Sequence, residues 1–201
     1  MSEDYVIEWD DKFAEDLKSV ADVFLQHNPM LWPDIFSRLA TSPESFENDD
    51  EDEYGLQDIL DCSGGDLGNN ELVQVLLQVL HGEGLTMHVD WKGEDDDGEM
   101  ANFAANRYYE LTDNQEDAET LRSLLLEMTE EDEIAEACEG GDRYLDEVFE
   151  RIQNQLNKHN LQIFDLNEGT DTYSIAVLPM SDYKKIDEFK TQWLEIQNFL
   201  S

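Results

Sequence analysis

Basic residues are scarce in this chain. Only 12 of its 201 residues are Lys or Arg, against 50 Asp or Glu, and the formal net charge is -38. Proteins bind nucleic acids and anionic membranes through clustered cations, often interleaved with aromatic side chains. The chain contains no such stretch. Its composition therefore excludes direct binding to nucleic acid and to anionic membranes, and favours cations and basic proteins as partners.

Cysteine is scarce too. Cys62 and Cys138 are the two cysteines, and neither has a partner at the CxxC spacing of zinc sites. The four histidines are dispersed along the chain, which also argues against a zinc site. We expect both thiols to be reduced and without metal, as is usual in the cytoplasm.

Long apolar runs are absent. The longest, Leu72–Leu80, is interrupted by Gln74 and Gln78 and is far shorter than the roughly 20 apolar residues of a membrane-spanning helix. The residues Met1–Asp4 lack the basic and apolar regions of a signal peptide. We therefore predict a soluble, cytoplasmic protein.

Apolar residues are nevertheless plentiful enough for a folded core. Hydrophobic residues make up 40% of the chain and aromatic residues 10%, which is more than a disordered acidic chain contains. Spacings of three and four predict helices, and strict alternation predicts strands. The predicted helices span about 13–25, 31–39, 70–81, 99–111, 117–128, 131–138, 145–156 and 186–200. The predicted strands span about 85–91, 161–166 and 172–178. The fold class is α+β, mostly helical with a small antiparallel sheet of about three strands.

The first third of the chain contains a change of composition. Residues 41–61 hold nine acids and no basic residue, and 62–68 form a glycine-rich connector that we expect to be flexible. We predict a helical N-terminal subdomain with an acidic loop at 1–61 and an α+β domain at 62–201. A single compact unit is the alternative.

The acids are concentrated in three runs at about 44–61, 94–119 and 127–150, whereas the segment after Asp182 is nearly balanced by lysines. Adaptation to high salt would spread acids over the whole surface, so this concentration favours specific acidic faces. The predicted partner-binding residues lie at the centres of the runs. They are Asp49, Asp50, Glu51, Asp52, Glu53, Asp95, Asp96, Asp97, Glu130, Glu131, Asp132 and Glu133.

The carboxylates at 94–99 are the residue type that calcium prefers. An EF-hand loop with its invariant glycine at Gly98 would start at Gly93 and end at Ala104, and neither residue supplies a side-chain ligand. The chain also contains no GxSxG, GxGxxG or Walker A sequence. We predict no metal site, no cofactor and no catalytic residue from motifs.

One acid lies in an unexpected place. Asp90 stands between Val89 and Trp91 on a predicted strand. Together with His88 and Asp171 it forms the basis of an alternative function, a hydrolase or metal-dependent enzyme. The simpler interpretation is that Asp90 faces solvent on an edge strand and that Asp171 stabilises a turn.

Two segments, Val89–Glu94 and Asp165–Tyr173, resemble a family of acidic bacterial proteins of unassigned function. The resemblance covers roughly residues 70–201. It implies a bacterial cytosolic protein and transfers no catalytic residue.

The leading hypothesis is a non-enzymatic acidic protein that binds a basic protein. It would act either as a DNA mimic, with carboxylates in place of phosphates, or as an immunity protein that covers the basic active site of a toxin. Both would associate quickly through electrostatic steering. A merely solvated acidic surface is a further alternative, and the partner's identity and the oligomeric state are left open.

Overall fold

The structure is a computed structural model that describes residues 5–46, 54–90, 98–129 and 144–199. It divides into two compact units, residues 1–84 and 85–201. The subdomain boundary predicted near residue 62 lies inside the first unit. The α+β class is confirmed, because most regular structure is helical and a small antiparallel sheet is present. Within the described ranges, no helix is long and apolar enough to cross a membrane.

The first unit is built around a central helix. Its elements are β1 (Val6–Ile7), α1 (Asp11–Phe24), α2 (Leu31–Thr41), α3 (Leu56–Ser63), β2 (Asp66–Leu67) and α4 (Asn69–Gly82). Half of the residues of α4 are buried, on most of its circumference, as expected for a helix packed by neighbours on several sides. Helices α1 and α3 both pack against it.

Hydrogen bonds fix the start of α1. The side chain of Asp10 accepts the N–H of Phe13 at 2.8 Å, which caps the helix. The N–H of Asp10 donates to Oδ1 of Asn69 at 2.9 Å, so the cap is tied to the beginning of α4. Phe13 and Leu17 begin the predicted apolar stripe, and both are buried. The helix predicted at 13–25 is confirmed.

The connector predicted at 62–68 is more ordered than expected. Cys62 belongs to α3, and β2 pairs in parallel with β1. The N–H of Val6 donates to the carbonyl oxygen of Gly65 at 2.7 Å, and Leu67 is buried. The prediction of a flexible connector was wrong because a distant segment supplies hydrogen-bond partners. The residue before α4, Gly68, is its N-cap.

The second unit contains a four-stranded sheet covered by helices. Its elements are β3 (Thr86–Asp90), α5 (Glu99–Thr112), α6 (Gln115–Met128), α7 (Tyr144–Leu156), β4 (Leu161–Asn167), β5 (Thr172–Pro179), α8 (Met180–Tyr183) and β6 (Glu195–Gln197). The strand order is β3-β5-β4-β6 and each neighbouring pair is antiparallel. The three predicted strands are confirmed and a fourth is added. The helix predicted at 131–138 lies outside the described residues.

Alternate residues of the sheet form one core with α5, α6 and α7. Ile163 and Ile175 from the strands are fully buried with Phe149 and Ile152 of α7 and Leu125 of α6. The period-2 pattern of the strands and the period-3.6 pattern of the helices meet in this cluster. It buries one face of the β4–β5 hairpin.

The prediction of a C-terminal helix at 186–200 is wrong. Residues 195–197 instead form β6, with Ile196 opposite Leu166 of β4. The hydroxyl of Thr191 accepts the N–H groups of Trp193 at 3.2 Å and Leu194 at 3.0 Å, which shapes the turn before the strand. The helical spacing of apolar residues was overridden because the edge of β4 offers backbone partners to an extended segment.

A glutamine side chain completes the edge of β4 that β6 does not reach. Oε1 of Gln153 on α7 accepts the N–H of Ile163 at 2.8 Å, and Nε2 donates to the carbonyl oxygen of Leu161 at 3.2 Å. Nε2 of Gln162 also donates to Oε1 of Gln153 at 2.8 Å. Gln153 is 2% exposed. Its amide thus substitutes for a strand and protects a sheet edge.

We predict that Gln153→Leu lowers the free energy of unfolding by roughly 2–4 kcal/mol, because two buried backbone groups lose their partner. Urea denaturation followed by circular dichroism measures this change. Asn154→Ala is the matched control, because Asn154 is exposed on the same helix, and we expect it to stay within about 0.5 kcal/mol of the wild type. An equal effect of both variants would contradict the role of Gln153.

Candidate functional site

The twelve predicted partner-binding residues all lie outside the described residues, at 49–53, 95–97 and 130–133. The described part of the second acidic run, however, lies on α5, α6 and the turn between them. Its exposed acids are Glu99 at the start of α5 and five residues near the turn. These five are Glu110, Asp113, Glu116, Asp117 and Glu119. We call these five residues the α5–α6 acidic surface.

Local sequence explains how this surface is built. Asn114 caps α6 by accepting the N–H of Asp117 at 3.2 Å, and Glu116 and Asp117 occupy the first turn, where the helix dipole favours negative charge. Asp113 ends α5 in the left-handed conformation, with φ at 53°. Asp tolerates this conformation better than most residues. The carboxylates therefore cluster around a tight helix–helix turn.

Most basic residues of the described ranges form ion pairs with carboxylates of the same chain. In the described ranges, six Lys or Arg side chains form ion pairs with carboxylates: Lys18–Asp22, Arg107–Glu110, Arg122–Glu119, Arg151–Glu147, Lys185–Asp182 and Lys190–Glu195. Asp113 and Glu116 have no cationic partner among the described residues. Their charge is therefore available to an external cation.

Two large apolar side chains are exposed on the same pair of helices. Tyr109 on α5 is 42% exposed and Leu124 on α6 is 38% exposed. Tyr is enriched in protein interfaces, whose centres are apolar and whose rims are polar. Helices α5 and α6 thus carry both kinds of group that a protein partner needs, apolar contact area and uncompensated charge.

The second unit also contains a buried acid, on β4. Asp165 is 1% exposed and accepts the N–H of Ser174 at 2.8 Å. Burial, opposed by the hydrogen bond from Ser174 and aided by the charge of Glu168, raises the pKa of Asp165 from 3.8 to about 7. Its carboxyl group therefore takes up and releases a proton near neutral pH.

Other titratable groups surround Asp165 at the β4–β5 hairpin. Burial raises the pKa of Glu168. The pKa of Tyr173 is raised first by burial and then by the charges of Asp165 and Asp146. Like charges are thus held together at a cost to stability, and such arrangements are frequent at functional sites. Among the residues that the structure describes, no group of three or more His, Cys, Asp or Glu is arranged to hold a metal ion.

Strand register brings the three residues of the alternative enzyme hypothesis to one end of the sheet. Asp90 lies opposite Thr172, next to Asp171, and His88 lies opposite Ser174. The side chains of His88 and Asp171 are exposed. Both groups are therefore open to solvent, whereas acid–base catalysis gains most in an enclosed site.

Sequence reasoning missed Asp165 as a buried acid, although a signal was present. Asp165 stands between Phe164 and Leu166 on a strand, which is the same pattern that drew attention to Asp90. The apolar neighbours point to the opposite face, so they do not reveal which side of the strand is dry. The burial of the carboxylate depends on the tertiary packing of that face.

Residues 33–196 match a protein family described as a domain of unknown function, DUF6630. The chain belongs to the DUF6630 family. The match begins in α2 and ends in β6, so it includes the α5–α6 acidic surface and the β4–β5 hairpin, and it starts well before the resemblance noted from residue 70. The expectation of a family of unassigned function is confirmed. No curated protein and no solved structure matches the chain.

We predict that Asp165→Asn stabilises this DUF6630 chain by roughly 1–3 kcal/mol more at pH 8 than at pH 5. The pKa of Asp165 is higher in the folded state than its ordinary value of 3.8, so the folded state binds the proton more tightly. The stability that protonated Asp165 contributes to the folded state is fully present below about pH 4 and is lost as the pH rises through 7. Asparagine keeps the acceptor for Ser174 and carries no charge.

Urea denaturation at pH 5, 6, 7 and 8 measures this effect. Asp171→Asn makes the same charge change at an exposed position of the same hairpin and should keep the wild-type pH profile. If Asp165→Asn keeps that profile as well, the buried carboxylate is not the group that titrates.

Proposed function

We propose that this chain is a non-enzymatic binding protein that engages a basic protein through its acidic faces. The observation that carries the proposal is the α5–α6 acidic surface, where Asp113 and Glu116 pair with no cation of the described residues and the adjoining helices expose Tyr109 and Leu124. A surface of this kind offers a basic partner both electrostatic attraction and apolar contact area.

The net charge of -38 supports the same conclusion. A negative potential over the surface accelerates encounters with a positive partner, in favourable cases by about 10- to 1,000-fold. Salt screens this attraction over about 10 Å at 0.1 M. The association rate of the complex should therefore fall as salt is added, whereas the dissociation rate depends mainly on the contacts at the centre of the interface.

The α5–α6 acidic surface can act in two steps. Asp113 and Glu116 attract and orient the partner, since no cation of the described chain neutralises them. Tyr109 then supplies apolar area that loses water on contact. The acids predicted at 49–53, 95–97 and 130–133 stay part of the proposal as further contacts with the same partner.

Two modes of action belong to the proposal. As a DNA mimic, the chain would occupy the nucleic-acid groove of its partner, with carboxylates in place of phosphates. As an immunity protein, it would cover the basic active site of a toxin. The hydrolase or metal-dependent enzyme based on Asp90, His88 and Asp171, and a merely solvated acidic surface, are the competing functions.

We predict that Asp113→Asn with Glu116→Gln weakens binding of the basic partner about 3- to 10-fold at low salt, because two charges that steer and pair with cations are removed. The test is affinity purification from the native cell at low salt, followed by elution of the retained proteins in a rising NaCl gradient. Asparagine is well tolerated in the left-handed conformation of residue 113, so this variant should fold.

Asp187→Asn with Glu188→Gln is the matched control, because both residues are exposed and lie in the nearly balanced C-terminal segment. It changes the net charge by the same amount. The proposal is supported if the wild type and the control retain a basic protein that the variant with Asp113→Asn and Glu116→Gln does not retain. Retention of no basic protein, insensitivity to salt, or equal losses in both variants would contradict it.

Competition with DNA separates the two modes of action. If the chain is a DNA mimic, double-stranded DNA should displace it from its partner in proportion to the partner's affinity for DNA. If it is an immunity protein, adding the chain should abolish the toxic activity of the partner at a one-to-one ratio. Fluorescence anisotropy of a labelled duplex and an activity assay of the purified partner measure these outcomes.

A further inference from the structure

The last described segment of the chain lies beside the buried Asp165. Strand β6 pairs with the end of β4, and Gln197 of β6 is opposite Asp165 in the register. Two residues later, the ring of Phe199 stacks on that of Phe149 in α7, with a centroid distance of 3.8 Å and an angle of 7° between the planes. We call residues 195–199 the C-terminal strap.

Aromatic contacts hold the C-terminal strap on the core of the second unit. The ring of Tyr173 on β5 meets the rings of Phe149 and Phe199 edge-on, at centroid distances of 6.0 and 5.9 Å. Phe149 is 1% exposed, and the stacked ring of Phe199 covers one of its faces. Release of the strap would uncover that face and free the edge of β4, so apolar burial and backbone pairing both favour the closed position.

A negative charge on Asp165 opposes the closed position. Asp165 is 1% exposed and accepts the N–H of Ser174 at 2.8 Å. Among the described residues, no Lys, Arg or His forms an ion pair with it. A carboxylate without a cation is costly to keep away from water. Once Asp165 is ionised, an open strap that admits water therefore becomes more favourable.

The titratable groups on the elements around Asp165 are mostly acids, which do not offset its charge. Burial is the main cause that raises the pKa of Asp165, the charge of Glu168 adds to it, and the hydrogen bond from Ser174 opposes it. On the strap, Glu195 already pairs with Lys190. The titratable groups are Glu168 in the hairpin, Tyr173 on β5, Asp146 on α7, Glu195 on the strap and, one strand further away, the exposed His88 on β3.

We propose that the C-terminal strap is a pH-sensitive device, closed on the core while Asp165 is protonated and released more often once Asp165 is ionised. Release exposes Phe149, Tyr173 and the edge of β4 at 165–167. The pKa of Asp165 is about 7 in the closed state against an ordinary value of 3.8, so the closed state binds the proton more tightly than an open, solvated state. Closure is therefore strongest below about pH 4 and weakens as the pH rises to about 7, above which both states are ionised.

Amide hydrogen exchange of the full ¹⁵N-labelled chain, followed by NMR at pH 5, 6 and 7, tests the device. Each rate is divided by the rate of an unstructured peptide at the same pH, which leaves the opening constant of each amide. We expect the opening constant of the β6 amides to rise about 10- to 100-fold from pH 5 to pH 7. Low concentrations of urea should leave it unchanged, whereas the amide of Val177, in the central strand β5, should exchange only through global unfolding.

Three variants test the residues. Asp165→Asn should reduce the change in the opening constant of β6 between pH 5 and 7 to less than about twofold, whereas Asp171→Asn, at an exposed position of the same hairpin, should keep the wild-type pH dependence. Phe199→Leu loses the ring stack and should raise the opening constant at pH 5 about 3- to 10-fold.

Three results would overturn the proposal. The first is that the β6 amides open with the same free energy and urea dependence as Val177. The second is that their opening in the wild type does not depend on pH. The third is that Asp165→Asn and Asp171→Asn have the same pH dependence.

Discussion

Repulsion between carboxylates opposes the folding of a chain with 50 acids and 12 bases, and burial of apolar surface has to offset it. The structure meets this constraint with two dry cores, one around α4 and one between the sheet and helices α5 to α7. The carboxylates are left at the surface, where water and salt screen them. Six basic residues of the described ranges contribute by pairing with carboxylates of the same chain.

Asp165 is the exception to this separation of charge from core. Its burial on β4 keeps a titratable acid close to Glu168 and Tyr173, and the chain is less stable at neutral pH for this reason. Natural proteins tolerate such local costs mainly where a function needs them. Membership of the DUF6630 family does not supply that function, so the hairpin and the α5–α6 acidic surface are the two features that any account of this chain has to explain.

Helices were predictable where one face meets a core. Phe13 and Leu17 on α1, and Val148 and Ile152 on α7, recur at spacings of three and four, and a helix is the only regular structure that places them on one side. The C-terminal segment has the same spacing but does not form a helix. Ile186 and Ile196 fit a helical stripe, yet residues 195–197 pair with β4. A free strand edge created by distant residues decides such a case, and local spacing contains no information about it.

The sequence by itself determined the acidic character of the surface, the α+β class and the hairpin of β4 and β5, because charge, periodicity and turn residues act over short distances along the chain. Only the tertiary structure decided that Asp165 is buried and that Gln153 completes a sheet edge. These features depend on contacts between separate helices and strands, which form when apolar surfaces are removed from water together.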